Sequence, residues 1–90
     1  MNPNGSFCEV AMAEQKIKQD ISIGANIREL RKARGLKQTD LVGLLQLEGV
    51  PMTREALVKI ERGAQHIQAS QLRAIRDALQ TTYDELLKPS

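Results

Sequence analysis

The stretch from Gln38 to Gly63, QTDLVGLLQLEGVPMTREALVKIERG, admits few folds. Leu41, Val42, Leu44 and Leu45 form one apolar stripe at helical spacing, and Ala56, Leu57 and Ile60 form another. Between them, Glu48-Gly49-Val50-Pro51-Met52 cannot continue a helix, because Gly49 ends it and Pro51 pushes Val50 out of helical geometry. Thr53 is a good N-cap for the next segment, and Gly63 stops it. The spacing predicts two short helices, residues 38–47 and 54–62, joined by a turn, with the rest of the chain organised around them.

Ile23, Ile27 and Leu30 repeat at helical spacing and predict a helix over residues 23–34, with Ser22 as its N-cap and Gly35 as its stop. Its last turn is basic, as the helix macrodipole favours. Lys37 stands where an N-cap Ser, Thr or Asn is expected for the second helix, a defect of about 1 kcal/mol. Either that site is uncapped and the lysine solvated, or the lysine points at a phosphate. Leu72, Ile75, Ala78 and Leu79 predict a helix over residues 69–80, with Ile67 as a core contact ahead of it. Thr82-Tyr83-Asp84-Glu85 reads as a capping box opening a last short helix to Leu87, which Pro89 ends. No alternating strand pattern is present. The expected fold is all-α, five short helices packed as one domain over residues 23–88. Residues 1–22 are expected to be a flexible leader, in which Val10, Ala13 and Ile17 allow a short helix over residues 9–20.

Ninety residues make one small domain at most. No run approaches the roughly 18 apolar residues of a membrane span, and no signal-peptide pattern opens the chain. Cys8 stands alone, which excludes an intrachain disulfide and makes a cytoplasmic location the expectation. One histidine, one cysteine and no clustered carboxylates leave neither a metal set nor a nucleophile–base pair. The chain is therefore expected to be no enzyme and to carry no metal or cofactor. His66 reads either as a surface histidine or as a phosphate contact. The only aromatics, Phe7 and Tyr83, supply no stacking platform for single strands or RNA, which favours double-stranded DNA.

Net charge is only +2, but residues 28–37 hold five basic side chains (Arg28, Arg31, Lys32, Arg34, Lys37) against one acid, Glu29. Such a patch suits a phosphate-facing side, and equally an ordinary solvated helix face. The third helix is more telling. A major groove admits one α-helix, whose N-terminal residues reach the base edges. Arg54, directly after the N-cap, is best placed for bidentate contact with guanine. Glu55, Val58 and Lys59 share its exposed side: Glu55 suits cytosine N4 or the helix dipole, and Val58 a thymine methyl. The same spacing also fits any amphipathic surface helix.

Residues 23–88 resemble the phage-repressor/Cro-type helix-turn-helix family, often called XRE. The resemblance lies in I-R-E-L-R-K-A-R-G-L at 27–36, Q-T-D-L at 38–41, K-I-E-R-G at 59–63 and the L-x-x-I-x-x-A-L…Y-D-E-L-L ending at 72–87. It implies a compact five-helix, lambda-repressor-like DNA-binding domain in which the second and third helices read DNA. Gln38 would then bind a phosphate, and Thr53 would cap the recognition helix and touch the backbone. Arg54, Glu55 and Lys59 would face the groove, with Val58 flanking; Lys37 and Arg62 complete the expected DNA-binding set. Arg31 would pair internally with Glu61.

The implied function is that of a small sequence-specific transcriptional regulator, a repressor, bound to double-stranded DNA as a homodimer. A helical protein-interaction module, such as an antitoxin or an adaptor with a protein partner, is the alternative. Tyr83–Leu87 and the N-terminal helix are the candidate dimer surfaces. The sequence departs from the family's shortest members by the surplus L-E-G-V-P-M at 47–52, resembling a branch with an L-Q-L-x-G segment before its T/S-R start. That longer turn leaves the approach angle of the third helix open.

Overall fold

A computed structural model describes residues 21–89, which form five α-helices: α1 Ile23–Ala33, α2 Gln38–Leu47, α3 Arg54–Glu61, α4 Ala69–Ala78 and α5 Tyr83–Leu86. The helix expected over residues 9–20, Phe7 and Cys8 lie outside the described residues. The first, third, fourth and fifth helices stop short of their expected ends, because Arg34, Arg62, Leu79 and Leu87 are C-caps. No strand forms among the described residues; Ile21 and Pro89 make one antiparallel bridge that joins the ends of the domain.

Helices this short are marginal alone, so their stability comes from a shared core. α1 packs on α3 and α5, while α2 packs on α3 and α4. Every helix contributes a fully buried side chain: Ile27, Leu41 with Leu45, Leu57, Ile75 and Leu86 in turn. Ile23, Leu30, Ala56, Ile67, Leu72 and Ala78 pack around this core half-buried. Leu44 is also only half-buried, since the α2 stripe turns its Leu41–Leu45 line inward. Met52, assigned by sequence to the connector, is buried instead. The turn accounts for it. Gly49 adopts φ +80°, and the Val50 and Gly49 N–H groups donate back to Leu45 O and Gln46 O at 3.0 Å each, folding the chain onto the core.

The same pair of reverse bonds closes α1, α3 and α4. At α4 the left-handed position is occupied by Gln80, at φ +53°, rather than by glycine. Arg34 braces that end: its Nε donates to Leu79 O at 2.7 Å and its Nη2 to Gln80 O at 2.9 Å. A left-handed residue with a Cβ is strained by roughly 1–2 kcal/mol, part of which glycine's unfolded-state entropy offsets. Gln80→Gly is therefore expected to raise stability by about 0.5–1 kcal/mol in a urea melt.

N-terminal capping differs from expectation at three helices. Ser22 makes no side-chain cap bond; only its carbonyl accepts, from Asn26 N–H at 3.1 Å. Thr82 Oγ1 accepts from Glu85 N–H at 3.2 Å, but no return bond from Thr82 N–H to the Glu85 carboxylate forms among the described residues. At α2 the lysine cannot accept a hydrogen bond, and Asp40 compensates: its carboxylate accepts from Lys37 N–H at 2.8 Å. Asn26, which the periodicity did not single out, is buried and donates Nδ2 to Leu86 O at 2.8 Å and Lys88 O at 3.0 Å, tying α1 to the end of α5.

Candidate nucleic-acid interface

Two contacts fix α3 against α1. The first is backbone to backbone. Gly24 lies so close to the end of α3 that a Cβ there would overlap the Ile60 carbonyl oxygen, with Ile60 C at 3.0 Å and Glu61 C at 3.1 Å. The second is ionic. Arg31 Nε and Nη2 donate to Glu61 Oε2 and Oε1 at 2.8 and 3.1 Å, and Arg31 Nη1 donates to Leu36 O at 2.8 Å. The two side chains are only 8% and 2% exposed, so this bidentate pair is shielded from solvent.

Glu61 also holds α2. Gln38 Nε2 donates to Glu61 Oε1 at 3.1 Å. A carboxylate only accepts, so the Gln38 amide must present its nitrogen to Glu61, leaving its second N–H and its oxygen for a ligand. Gln38, the residue expected to meet a phosphate, is thus oriented by the acid that anchors α3. This link joins residues on different helices and leaves no sequence signature.

Beyond these ties α3 is free on its outer side. Thr53 Oγ1 accepts from Ala56 N–H at 3.1 Å, and its own hydroxyl proton remains available to donate. Arg54, Glu55, Lys59 and Arg62 are exposed, and Val58 is half-buried. None of these four charged side chains is in an ion pair among the described residues. Gln38, Val58 and Arg62 meet in one cleft of about 570 Å³, together with Arg28 and Glu61. Arg54, Glu55 and Lys59 do not line that cleft. Lys37 is exposed beside Gln38 at the start of α2. His66 lines a different groove, with Ile21, Ile23, Ile60 and Ile67 among its neighbours, and the structure does not bring it to the Gln38 cleft.

The basic segment 28–37 divides in two. Arg31 is buried and paired with Glu61, so it adds less to an outer patch than its charge suggests, whereas Arg34 is exposed and keeps its full charge while donating to the carbonyls at the end of α4. Arg28 sits three positions before Arg31 and therefore on the same side of α1, where it reaches the cleft. That spacing was readable in the sequence, but no partner was known to give it meaning.

Six residues, 48–53, separate α2 from α3, against the usual turn of about three or four between such helices. No helix among the described residues is long and apolar enough to cross a membrane. No curated protein and no solved structure matches the chain. A family model does: the one described as "Helix-turn-helix domain" matches residues 22–88, taking in all five helices. The chain belongs to this helix-turn-helix family of DNA-binding domains.

Proposed function

We propose that the chain is a small transcriptional regulator of the phage-repressor/Cro type that binds double-stranded DNA sequence-specifically, with α3 in the major groove. The observation that carries this reading is the state of α3: a capped N-terminus, an outer side whose charges are unpaired among the described residues, and an inner side held by Gly24, Arg31 and Leu57. Arg54 and Glu55 read base edges from its first turn, and Lys59 and Val58 continue the contact one turn on. Gln38, Lys37, Thr53 and Arg62 hold the flanking phosphates. The protein acts as a repressor by occupying its site, as a two-fold dimer whose half-site centres lie roughly 34 Å apart. The surface around α5, where Tyr83 and Leu87 are partly exposed, forms the dimer contact.

Gel-shift titration of the wild type and Arg54→Ala at two salt concentrations tests the reading. Wild-type affinity should fall by about 0.9 log unit per tenfold in salt for each phosphate neutralised. Arg54→Ala should lose about 1–3 kcal/mol, a factor of about 5 to 150, and discriminate less at one base pair. Full binding by Arg54→Ala would remove Arg54 from the reading set. A stoichiometric protein partner with no DNA affinity at low salt would assign the domain to protein interaction instead.

A further inference from the structure

We propose that residues 9–20 form an amphipathic helix that packs, within the same chain, into the isoleucine-lined groove between the start of α1, the end of α3 and the connection to α4. The inference goes beyond the DNA-binding reading and does not depend on it.

The groove, of about 520 Å³, is the apolar counterpart of the arginine-lined cleft. Ile60 is its buried floor, Ile23 and Ile67 are half-buried, and Ile21 is exposed. Among the described residues no Asp, Glu, Lys or Arg lines it, and His66 stands on its rim. An apolar surface of this kind with a polar rim marks a place where another apolar surface binds.

Two observations choose the occupant. The first is where the chain enters. Ile21 is both a wall of the groove and the residue that positions 1–20 lead into, and its bridge to Pro89 fixes the backbone there. Ile17 stands four positions earlier. It is therefore at most about 14 Å from Ile21 along an extended chain, and about 6 Å along a helix. So short a tether sets an effective concentration in the millimolar range, which a second copy or a separate partner at micromolar concentration does not match. The second observation is the pattern of the segment. Val10, Ala13 and Ile17 fall on one stripe, Phe7 extends it, Glu14 borders it, and Gln15, Lys16 and Gln19 lie on the far side. A helix this short is marginal alone in water, so its order depends on a surface for that stripe. The groove supplies one of matching chemistry at the point of attachment. Docked there, the segment covers the end of α3, where Gly63 N–H donates to Ile60 O at 3.1 Å and Ala64 N–H to Lys59 O at 2.8 Å. Both residues are exposed, so the protection of their amides reports on the cover.

The test is nuclear magnetic resonance on the full chain, labelled at its isoleucine methyl groups, with Ile17→Asp and Gln15→Asp as variants. Gln15→Asp adds the same charge to the far side of the segment. Ile75, fully buried and not part of the groove, reports that each variant remains folded. The wild type should show through-space contacts from the Ile17 methyl to those of Ile23 and Ile67, unchanged on dilution. Ile17→Asp should shift the Ile23 and Ile67 signals and leave that of Ile75 in place. It should also speed exchange of the Gly63 and Ala64 amides about tenfold, the burial of one isoleucine less the cost of ordering the helix. Gln15→Asp should behave as the wild type does. Absence of the Ile17 contacts in the wild type would overturn the proposal, as would exchange at Gly63 and Ala64 that Ile17→Asp leaves unchanged. Contacts seen only between differently labelled chains in a mixed sample would also overturn it, because the occupant would then be a second copy. Contacts from Ile17 to Tyr83 or Leu87 would overturn it too, by placing the segment on α5. None of these readouts uses DNA, so the DNA-binding reading stands or falls separately.

Discussion

Glu61→Ala is expected to destabilise the domain by about 3–5 kcal/mol, because it leaves the Arg31 guanidinium buried without a counter-charge. Arg31 is 8% exposed and points three of its donors inward, two at Glu61 and one at Leu36 O. The substitution also frees Gln38 Nε2, so one residue anchors α3 and orients α2. For a domain of this size, total stability is of the order of 5–10 kcal/mol, and the variant should be partly unfolded at physiological temperature. Urea melts measure the loss. The double variant Arg31→Met/Glu61→Leu should recover much of it, because replacing both charges with apolar groups of similar volume removes the unpaired ion. A Glu61→Ala cost under about 1 kcal/mol would mean that water reaches Arg31 and that the pair behaves as a surface bridge.

Gly24→Ala should have an effect of similar size by a different cause. The added methyl meets backbone, the Ile60 carbonyl, which cannot rotate away as a flexible side chain would. Either α1 or α3 must shift; overpacking costs about 1–3 kcal/mol, and a clash with backbone puts this one at the upper end, about 3 kcal/mol. The loss in DNA affinity should exceed what stability alone explains, since α3 is the element displaced. Gly43→Ala is the control. Gly43 lies inside α2 with nothing within 4 Å of a new Cβ, so alanine there should stabilise the helix by about 0.5–1 kcal/mol.

These two positions show how far the sequence could be read. The helices were legible because apolar periodicity and stop signals are local: Gly35, Gly49 and Gly63 follow α1, α2 and α3 as expected. Thr53 capping α3 was legible for the same reason. Contacts made across the fold were not. Asn26 meets carbonyls some sixty positions away, and Arg34 caps a helix end more than forty away; neither has a pattern in its own neighbourhood. Gly24 sits in the first turn of α1, where a glycine reads as a mild helix defect, and its purpose lies wholly in α3. Asp40 is the exception, a cap whose signal is local. An acid three positions after a poor N-cap is half of a capping box, and it satisfies Lys37 N–H. In the site, the residue types on α3 could be named from sequence, whereas the convergence of Arg28, Gln38 and Arg62 on one cleft needed three helices to be packed first.

The long α2–α3 connection also takes a definite form. Of its surplus residues only Leu47 belongs to α2, which ends there. The others form a closed turn at Gly49 and bury Met52, so the connection is anchored to the core at the residue before Thr53. α3 therefore starts from a fixed point despite the extra length.

The central claim is that α3 reads a defined sequence in double-stranded DNA from a two-fold dimer. Selection of bound duplexes from a random pool tests it most directly. The account predicts enrichment of a palindromic site whose half-sites are centred about one helical turn, roughly 34 Å, apart, with binding that weakens steeply as salt rises. A pool left unenriched after repeated rounds at low salt, with wild-type protein shown to be folded, would contradict it.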